Sequence, residues 1–299
     1  MSNTLIYLTL ISLLAGYVAW NLGANDVANS MGTSVGSKAI TLTQAIIVAG
    51  ILEFTGAVVF GKQVSATLAT KVANPSLFAE TPQIFLLGMI AVLLACGIWL
   101  QVATSQGLPV ASSHAVVGAI AGFSWVAIGK EAIAWDNIGL ICLGWVLTPI
   151  VSAIVAASLY SLLRYWLFEQ DNTLAQLLEW IPWLSAALIA VFGVIVFPTV
   201  VQLPVFDYIP LPERTIGLGM GFLATGAIIN YSWYKFKSYR QQEIEMRILE
   251  RVMGKFQVLS ACFVAFAHGS NDVGNAIAPL AVIVFIFNTG VVPIDSLDI

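Results

Sequence analysis

The chain has 299 residues, of which 59% are hydrophobic and only 9% are charged, and its net charge is -4. A soluble globular domain carries about 25% charged residues, so this composition excludes a soluble surface. Together with a mean hydropathy of +0.90, it predicts an all-α polytopic membrane protein. The scarcity of basic residues outside one segment excludes a nucleic acid as a partner.

Eight apolar segments are long enough for a crossing of roughly 20 residues. In chain order they lie at 4–36, 42–60, 84–103, 109–128, 137–163, 184–201, 214–234 and 256–287. No basic residue precedes the first segment and no cleavage site follows it, so we expect a permanent span there rather than a signal peptide. The segment 109–128 is the weakest member, because it either crosses fully or forms a re-entrant hairpin.

The segment 235–255 differs from the rest of the chain, because it holds six basic and three acidic residues. Met246, Leu249 and Met253 recur at helical spacing, which predicts an amphipathic surface helix. Basic residues concentrate on the cytoplasmic side of membrane proteins, so we expect this segment in the cytoplasm. With seven crossings before it, the N-terminus would lie outside. If 109–128 does not cross, the number of crossings becomes even and this assignment of the N-terminus no longer follows.

One short signature occurs near each end of the chain, as GANDVANS at 23–30 and as GSNDVGNA at 269–276. A carboxylate inside the hydrocarbon layer is costly, so Asp26 and Asp272 are expected to be functional. The glycine of each copy predicts a broken helix, and secondary transporters build their sites from such pairs. On the crossing count above, the two spans run in opposite directions, which predicts an inverted repeat.

The side chains of the two signatures suit the binding of ions. Carboxamide and carboxylate oxygens are ligands for small hard cations. The N–H groups at the start of the half-helix after each break would form an anion site. The predicted ligands are Asn25, Asp26, Asn29, Asn271, Asp272 and Asn275. The alternative is that these residues only cap helix breaks, and their recurrence in two opposed spans favours ion binding.

Two further features lie within apolar segments. In the segment 106–115, glycine and proline free backbone groups, and Ser112 and Ser113 offer hydroxyl and N–H donors to an anion. The serines could equally bond back to their own helix, and His114 is expected to be a packing residue. Glu53 is alone in its span, so it must be paired, protonated or in contact with water, and we expect a role in coupling.

Three segments carry a resemblance to a known family: GANDVANSMGTSVGSKAIT (23–41), GLPVASSHAVVGAIAG (107–122) and AHGSNDVGNAIAPLA (267–281). On them the chain resembles the inorganic phosphate transporter (Pit) family of sodium- or proton-coupled symporters. The resemblance implies a homodimer with an inverted-repeat fold. By motif position, it implies substrate and cation sites at Asn25, Asp26, Asn271 and Asp272, phosphate contacts from Ser112 and Ser113, and coupling through Glu53.

The chain departs from the family pattern at a few positions. Ala111 and Ala278 replace a hydroxyl-bearing residue and a glycine that are common in relatives, and a second hydroxyl-bearing hairpin is absent. The second repeat is therefore expected to be truncated. The predicted organisation is a first repeat at 1–163, connecting spans at 164–234, the cytoplasmic segment at 235–255 and the start of the second repeat at 256–299.

The resulting functional prediction is secondary active import of inorganic phosphate by alternating access, coupled to sodium in preference to a proton. The expected location is the plasma or inner membrane. A sulfate permease and a non-transporting receptor or structural membrane protein remain alternatives. We expect no enzyme and no cofactor beyond the transported cation, since the sequence has no H-E-x-x-H motif and no second histidine beside His114.

Overall fold

The computed structural model describes residues 3–171, 173–201 and 245–294. Within these ranges the chain forms seven α-helices and no strand. They are α1 (Asn3–Gly36), α2 (Leu42–Lys71), α3 (Pro82–Ser105), α4 (Ser112–Ala127), α5 (Trp135–Leu163), α6 (Thr173–Val201) and α7 (Glu245–Thr289). Short 3₁₀ turns at Pro75–Phe78 and Lys130–Ala132 and a π turn at Arg164–Phe168 join some of them. The predicted all-α class is confirmed.

Five of the described helical segments are long and apolar enough to cross a membrane. They are Thr4–Gly36, Leu42–Lys62, Pro82–Ser105, Trp135–Phe168 and Leu249–Thr289. The polytopic membrane class is therefore confirmed as well. The crossing predicted at 184–201 falls within α6, and the one predicted at 214–234 lies outside the described residues.

The segment 109–128 does not form a full-length crossing helix. Its helix α4 has 16 residues, which corresponds to a length of about 24 Å against a hydrocarbon core of about 30 Å. The structure thus favours a re-entrant hairpin over a complete crossing. Without this segment, six rather than seven predicted crossings precede the basic segment. The external N-terminus therefore stays a prediction.

The helix breaks predicted at Gly23 to Asp26 and at Gly269 to Asp272 are wrong. Both α1 and α7 run as continuous α-helix through their signatures. Among the described glycines, positive φ angles occur only at Gly107, Gly129 and Gly290. The signature glycines therefore do not serve to bend the backbone. For Gly269 the physical reason lies in helix packing, whereas a Cβ on Gly23 would make only an ordinary contact with Glu53.

Helices α2 and α7 approach each other closely through glycines on both sides. A Cβ atom on Gly269 would collide with the backbone of Glu53, and one on Gly56 would collide with the carbonyl oxygen of Phe266. A Cβ on Gly61 would lie 2.6 Å from a methyl carbon of Val273. Small residues at such contacts let transmembrane helices pack backbone to backbone. This glycine seam brings Glu53 next to the second signature.

An apolar core joins α1, α3, α4 and α7. Val18, Leu93, Ile120 and Ile283, one from each helix, are completely buried within it. In membrane proteins such contacts act through close packing rather than through exclusion of water. The core fixes the two signature helices against the α3–α4 hairpin.

The described residues divide into two compact units. The first holds Met1–Val35, Thr41–Trp145 and Val264–Ile299, and the second holds Gly36–Ile40 and Val146–Phe263. In the second unit, Leu249 and Met253 pack against a small buried cluster formed by Leu167, Leu177, Ile181 and Val252.

The predicted amphipathic segment is helical from Glu245 onward, and it continues without interruption into the last span as α7. The apolar side chains Leu249 and Met253 are partly buried against the cluster described above, and the membrane-surface location stays a prediction. Residues 235–244 lie outside the described part of the chain. The cytoplasmic location of the segment stays a prediction.

The glycine seam predicts opposite effects for two substitutions on α2. Gly56→Ala places a methyl group against the α7 backbone, so we expect a loss of about 1–3 kcal/mol in stability, as for other overpacked contacts. Gly50→Ala meets open space and should be neutral or slightly stabilising, because alanine is the better helix former by about 1 kcal/mol. Thermal unfolding of the detergent-purified variants measures both, and equal melting temperatures would contradict the seam.

Candidate functional site

The connection between α3 and α4 is a sharply defined turn. Gly107 has a φ of 67°, which suits glycine because it has no Cβ. Its N–H donates to the carbonyl of Thr104 at 3.0 Å, and the N–H of Leu108 donates to the carbonyl of Ala103 at 2.9 Å. These two bonds form a Schellman motif, which ends α3 and reverses the chain towards α4.

Asn25 holds this turn in place from α1. Its Nδ2 donates to Thr104 Oγ1 at 3.1 Å and to the Leu108 carbonyl at 3.1 Å, while its Oδ1 accepts from the Val110 N–H at 3.2 Å. A carboxamide has two N–H donors, so both are used here. The predicted ion ligand Asn25 therefore uses its hydrogen bonds on the Thr104 hydroxyl and on two backbone groups that the non-helical segment leaves free.

The carboxylate of Asp272 meets the N-terminal end of α4. Ser112 Oγ donates to Asp272 Oδ1 at 2.9 Å, and Ser113 Oγ makes a longer contact of 3.5 Å with the same atom. Asn275, one turn further along α7, donates to Asp272 Oδ1 at 3.0 Å and to Ser112 Oγ at 3.1 Å. The second signature and the two serines are thus parts of one network.

Two further carboxylates lie near Asp272. Asp26 on α1 is buried, and it lies within charge–charge range of both Asp272 and Glu53. Glu53 on α2 interacts with Asp272 in the same way. On α7, His268 lies within charge–charge range of Asp272. Four helices, α1, α2, α4 and α7, therefore contribute polar side chains to one cluster.

Some atoms of this cluster have no protein partner. Among the described residues, Glu53 Oε1, His268 Nδ1 and Asn275 Oδ1 are buried and make no hydrogen bond. All three residues adjoin Asp272. Buried polar atoms are nearly always satisfied in proteins, so a group of exceptions indicates a site that binds a polar ligand.

The structure brings most of the predicted site residues together, although not in equal roles. The cluster contains Asp26, Glu53, Ser112, Ser113, Asp272 and Asn275. Asn29 is exposed on α1 and hydrogen-bonds the Asp26 carboxylate. Asn271 is exposed on α7 and takes no part in the network described above.

Of the two histidines, one agrees with its predicted role and the other was not predicted to belong to the site. His114 is exposed and lies against the ring of Trp145 with a centroid separation of 3.7 Å, in line with the predicted packing role. His268 was not predicted as a site residue. A usable signal existed, since His268 lies four residues before Asp272 and therefore on the same helix face.

The role of Asn25 predicts a local effect on the hairpin. Asn25→Ala removes three hydrogen bonds from the turn, each worth about 1 kcal/mol, so we expect faster backbone hydrogen–deuterium exchange over residues 106–111. The control is Asn271→Ala, which changes the equivalent residue of the second signature and should leave this exchange unaltered. Unchanged exchange in Asn25→Ala would contradict the positioning role.

Known proteins resemble this chain in sequence over most of its length. The profile of the phosphate transporter family matches residues 22–297. A protein assigned as a phosphate permease in Haemophilus influenzae is 36% identical over 276 residues, covering 92% of this chain and 65% of its own length. "Inorganic phosphate transporter 2-1, chloroplastic" of Arabidopsis thaliana is 34% identical over 327 residues, covering 99% of this chain and 54% of its own length.

A solved structure described as "The sodium-dependent phosphate transporter" is also similar. It has a TM-score of 0.85 and 30% sequence identity, covering 98% of this chain and 70% of that protein. The chain therefore spans between about half and 70% of the length of these relatives. The matches in sequence and in structure agree with the resemblance found in the motifs, and the chain belongs to the phosphate transporter family.

Proposed function

We propose that this protein carries inorganic phosphate across a membrane by alternating access, together with a cation that is sodium rather than a proton. Membership of the phosphate transporter family and the similarity to a sodium-dependent phosphate transporter support the substrate and the cation. Import across the plasma or inner membrane and assembly as a homodimer are parts of the same proposal.

One observation carries the proposal of coupling: Asp26, Glu53 and Asp272 lie within charge–charge range of one another, and Asp272 accepts a hydrogen bond from Ser112 at the start of α4. Two like charges about 4 Å apart repel by about 4 kcal/mol at an effective dielectric constant of 20. A phosphate anion entering beside three carboxylates would meet this repulsion several times over. Cations that enter with it remove the repulsion, so phosphate and cation travel together.

The cluster offers distinct ligands to the two ions. For the anion it has the free N–H groups at the start of α4, where the helix dipole also favours negative charge. The hydroxyls of Ser112 and Ser113 donate to Asp272 in this structure, and they become available to the anion when a cation binds that carboxylate in their place. For sodium it has the oxygens of Asp26, Glu53, Asp272 and Asn275, which are hard ligands. Asn29 and Asn271 remain candidate ligands at its exposed edge. Asn25 acts through the turn that it holds.

Phosphate is favoured over sulfate because the two anions differ in protonation at neutral pH. At neutral pH phosphate keeps at least one proton and can donate it to a carboxylate, whereas sulfate can only accept. A site that faces the anion with carboxylates therefore discriminates against sulfate. Uptake of radiolabelled phosphate and sulfate into vesicles, with sodium and proton gradients imposed separately, tests the proposal. No phosphate uptake under either gradient would refute it.

The carboxylates of the two signatures should be individually essential. Asp26→Asn and Asp272→Asn keep the side-chain volume but remove the charge that attracts the cation, so we expect each to abolish phosphate uptake with membrane insertion intact. The control is Asp136→Asn at the start of α5, an exposed carboxylate outside the cluster. Uptake at the wild-type rate in either signature variant would contradict the proposed site.

Glu53 separates sodium coupling from proton coupling. If sodium drives transport, Glu53→Gln weakens uptake but leaves its dependence on sodium visible, because Asp26 and Asp272 still supply charged oxygens. If protons drive transport, Glu53→Gln keeps phosphate exchange across the membrane and loses accumulation driven by a pH gradient. We expect the first pattern in vesicle uptake. Wild-type uptake that ignores sodium and follows the pH gradient would contradict it.

A further inference from the structure

His268 is the polar residue of the cluster that the proposed function leaves without a role. It lies one helical turn before Asp272, so both side chains emerge from the same face of α7. The imidazole is within charge–charge range of the Asp272 carboxylate. Its Nδ1 is buried, and no described residue forms a hydrogen bond with that atom.

A histidine with a structural role normally has both ring nitrogens satisfied. A polar side chain on α7 can be satisfied within its own helix. The hydroxyl of the nearby Ser270, for example, donates to the carbonyl of Phe266 at 2.8 Å. His268 Nδ1 makes no such bond. A buried nitrogen that the fold leaves unsatisfied, in a cluster with other unsatisfied atoms, is placed for a ligand.

The surroundings identify which ion this nitrogen suits. The other unsatisfied buried atoms of the cluster, Glu53 Oε1 and Asn275 Oδ1, are both oxygens that can accept from a donor or bind a cation. Sodium prefers such oxygens to an imidazole nitrogen. An oxyanion beside three carboxylates needs N–H and O–H donors, and a histidine ring can supply one.

We infer that His268 is a substrate-contacting residue whose Nδ1–H donates a hydrogen bond to the transported oxyanion. It contributes this donor from α7, and Ser112 and Ser113 contribute theirs from α4. This assignment rests on the proposed function and adds to it a specific anion ligand on the second signature helix.

Two isosteric substitutions distinguish the nitrogen atoms of the ring. Asparagine places its amide nitrogen on Cγ, where Nδ1 is attached, whereas glutamine places it one bond further, near the position of Nε2. His268→Asn should therefore keep the KM for phosphate within about threefold of the wild type. His268→Gln and His268→Ala should raise it about tenfold or more, since a hydrogen bond to a charged group is lost.

The readout is vesicle uptake of radiolabelled phosphate at saturating sodium, followed by sodium titration at saturating phosphate. The half-saturating sodium concentration should not change in any His268 variant. A wild-type KM in His268→Ala, or an equal loss in the Asn and Gln variants, would overturn the assignment. If the wild-type protein takes up no phosphate at all, the proposed function fails instead.

A direct measurement covers the case in which the substitutions disturb folding. The chain has two histidines, so His114→Asn leaves His268 as its only imidazole; the substitution lies outside the cluster and should not alter uptake. In this variant, labelled with ¹⁵N-histidine, phosphate added with sodium should shift the Nδ1 resonance. Sodium chloride at the same ionic strength should not. An Nδ1 resonance that is indifferent to phosphate would refute the contact.

Discussion

The hydrogen bonds that the Asp272 carboxylate accepts hold the functional cluster together. They come from Ser112 at the start of α4 and from Asn275 on α7 itself. A carboxylate in a membrane interior is costly unless it is paired or hydrogen-bonded. These bonds therefore tie the α3–α4 hairpin to the last described helix. Because Asp26 and Glu53 also lie near Asp272, the same interaction sets the distance between the hairpin and the acidic groups that would hold a cation.

The helix packing around Asp272 fixes the positions of its partners. The glycine seam between α2 and α7 lets Glu53 approach the second signature, since any side chain on Gly269 would separate the two helices. On the other side, Asn25 satisfies the free backbone groups of the turn and so fixes the point where α4 begins. Irregular backbone inside a membrane protein requires such partners. The cluster thus combines a rigid frame with a few unsatisfied atoms.

Local patterns in the sequence located the cluster but not its architecture. The paired Asn-Asp signatures and the two serines are recognisable because polar side chains are rare in apolar segments, and Asp26, Asp272, Ser112 and Ser113 do meet in space. The prediction of helix breaks was wrong because it interpreted Gly23 and Gly269 from the local backbone preference of glycine. Gly269 is instead required by the close contact of α7 with α2, which is distant in sequence. Asn25 and Asn271 occupy the same position in their signatures, but Asn25 is buried against the α3–α4 turn and Asn271 is exposed. The repeated motif alone does not reveal this difference.

The central claim is that the anion enters the cluster only when a cation neutralises the carboxylates. Equilibrium binding of radiolabelled phosphate to the purified protein, with sodium replaced by choline at constant ionic strength, tests it directly. The account predicts that sodium tightens phosphate binding, and that phosphate tightens sodium binding by the same factor, as linkage requires. A phosphate affinity that is identical with and without sodium, at every pH tested, would contradict it.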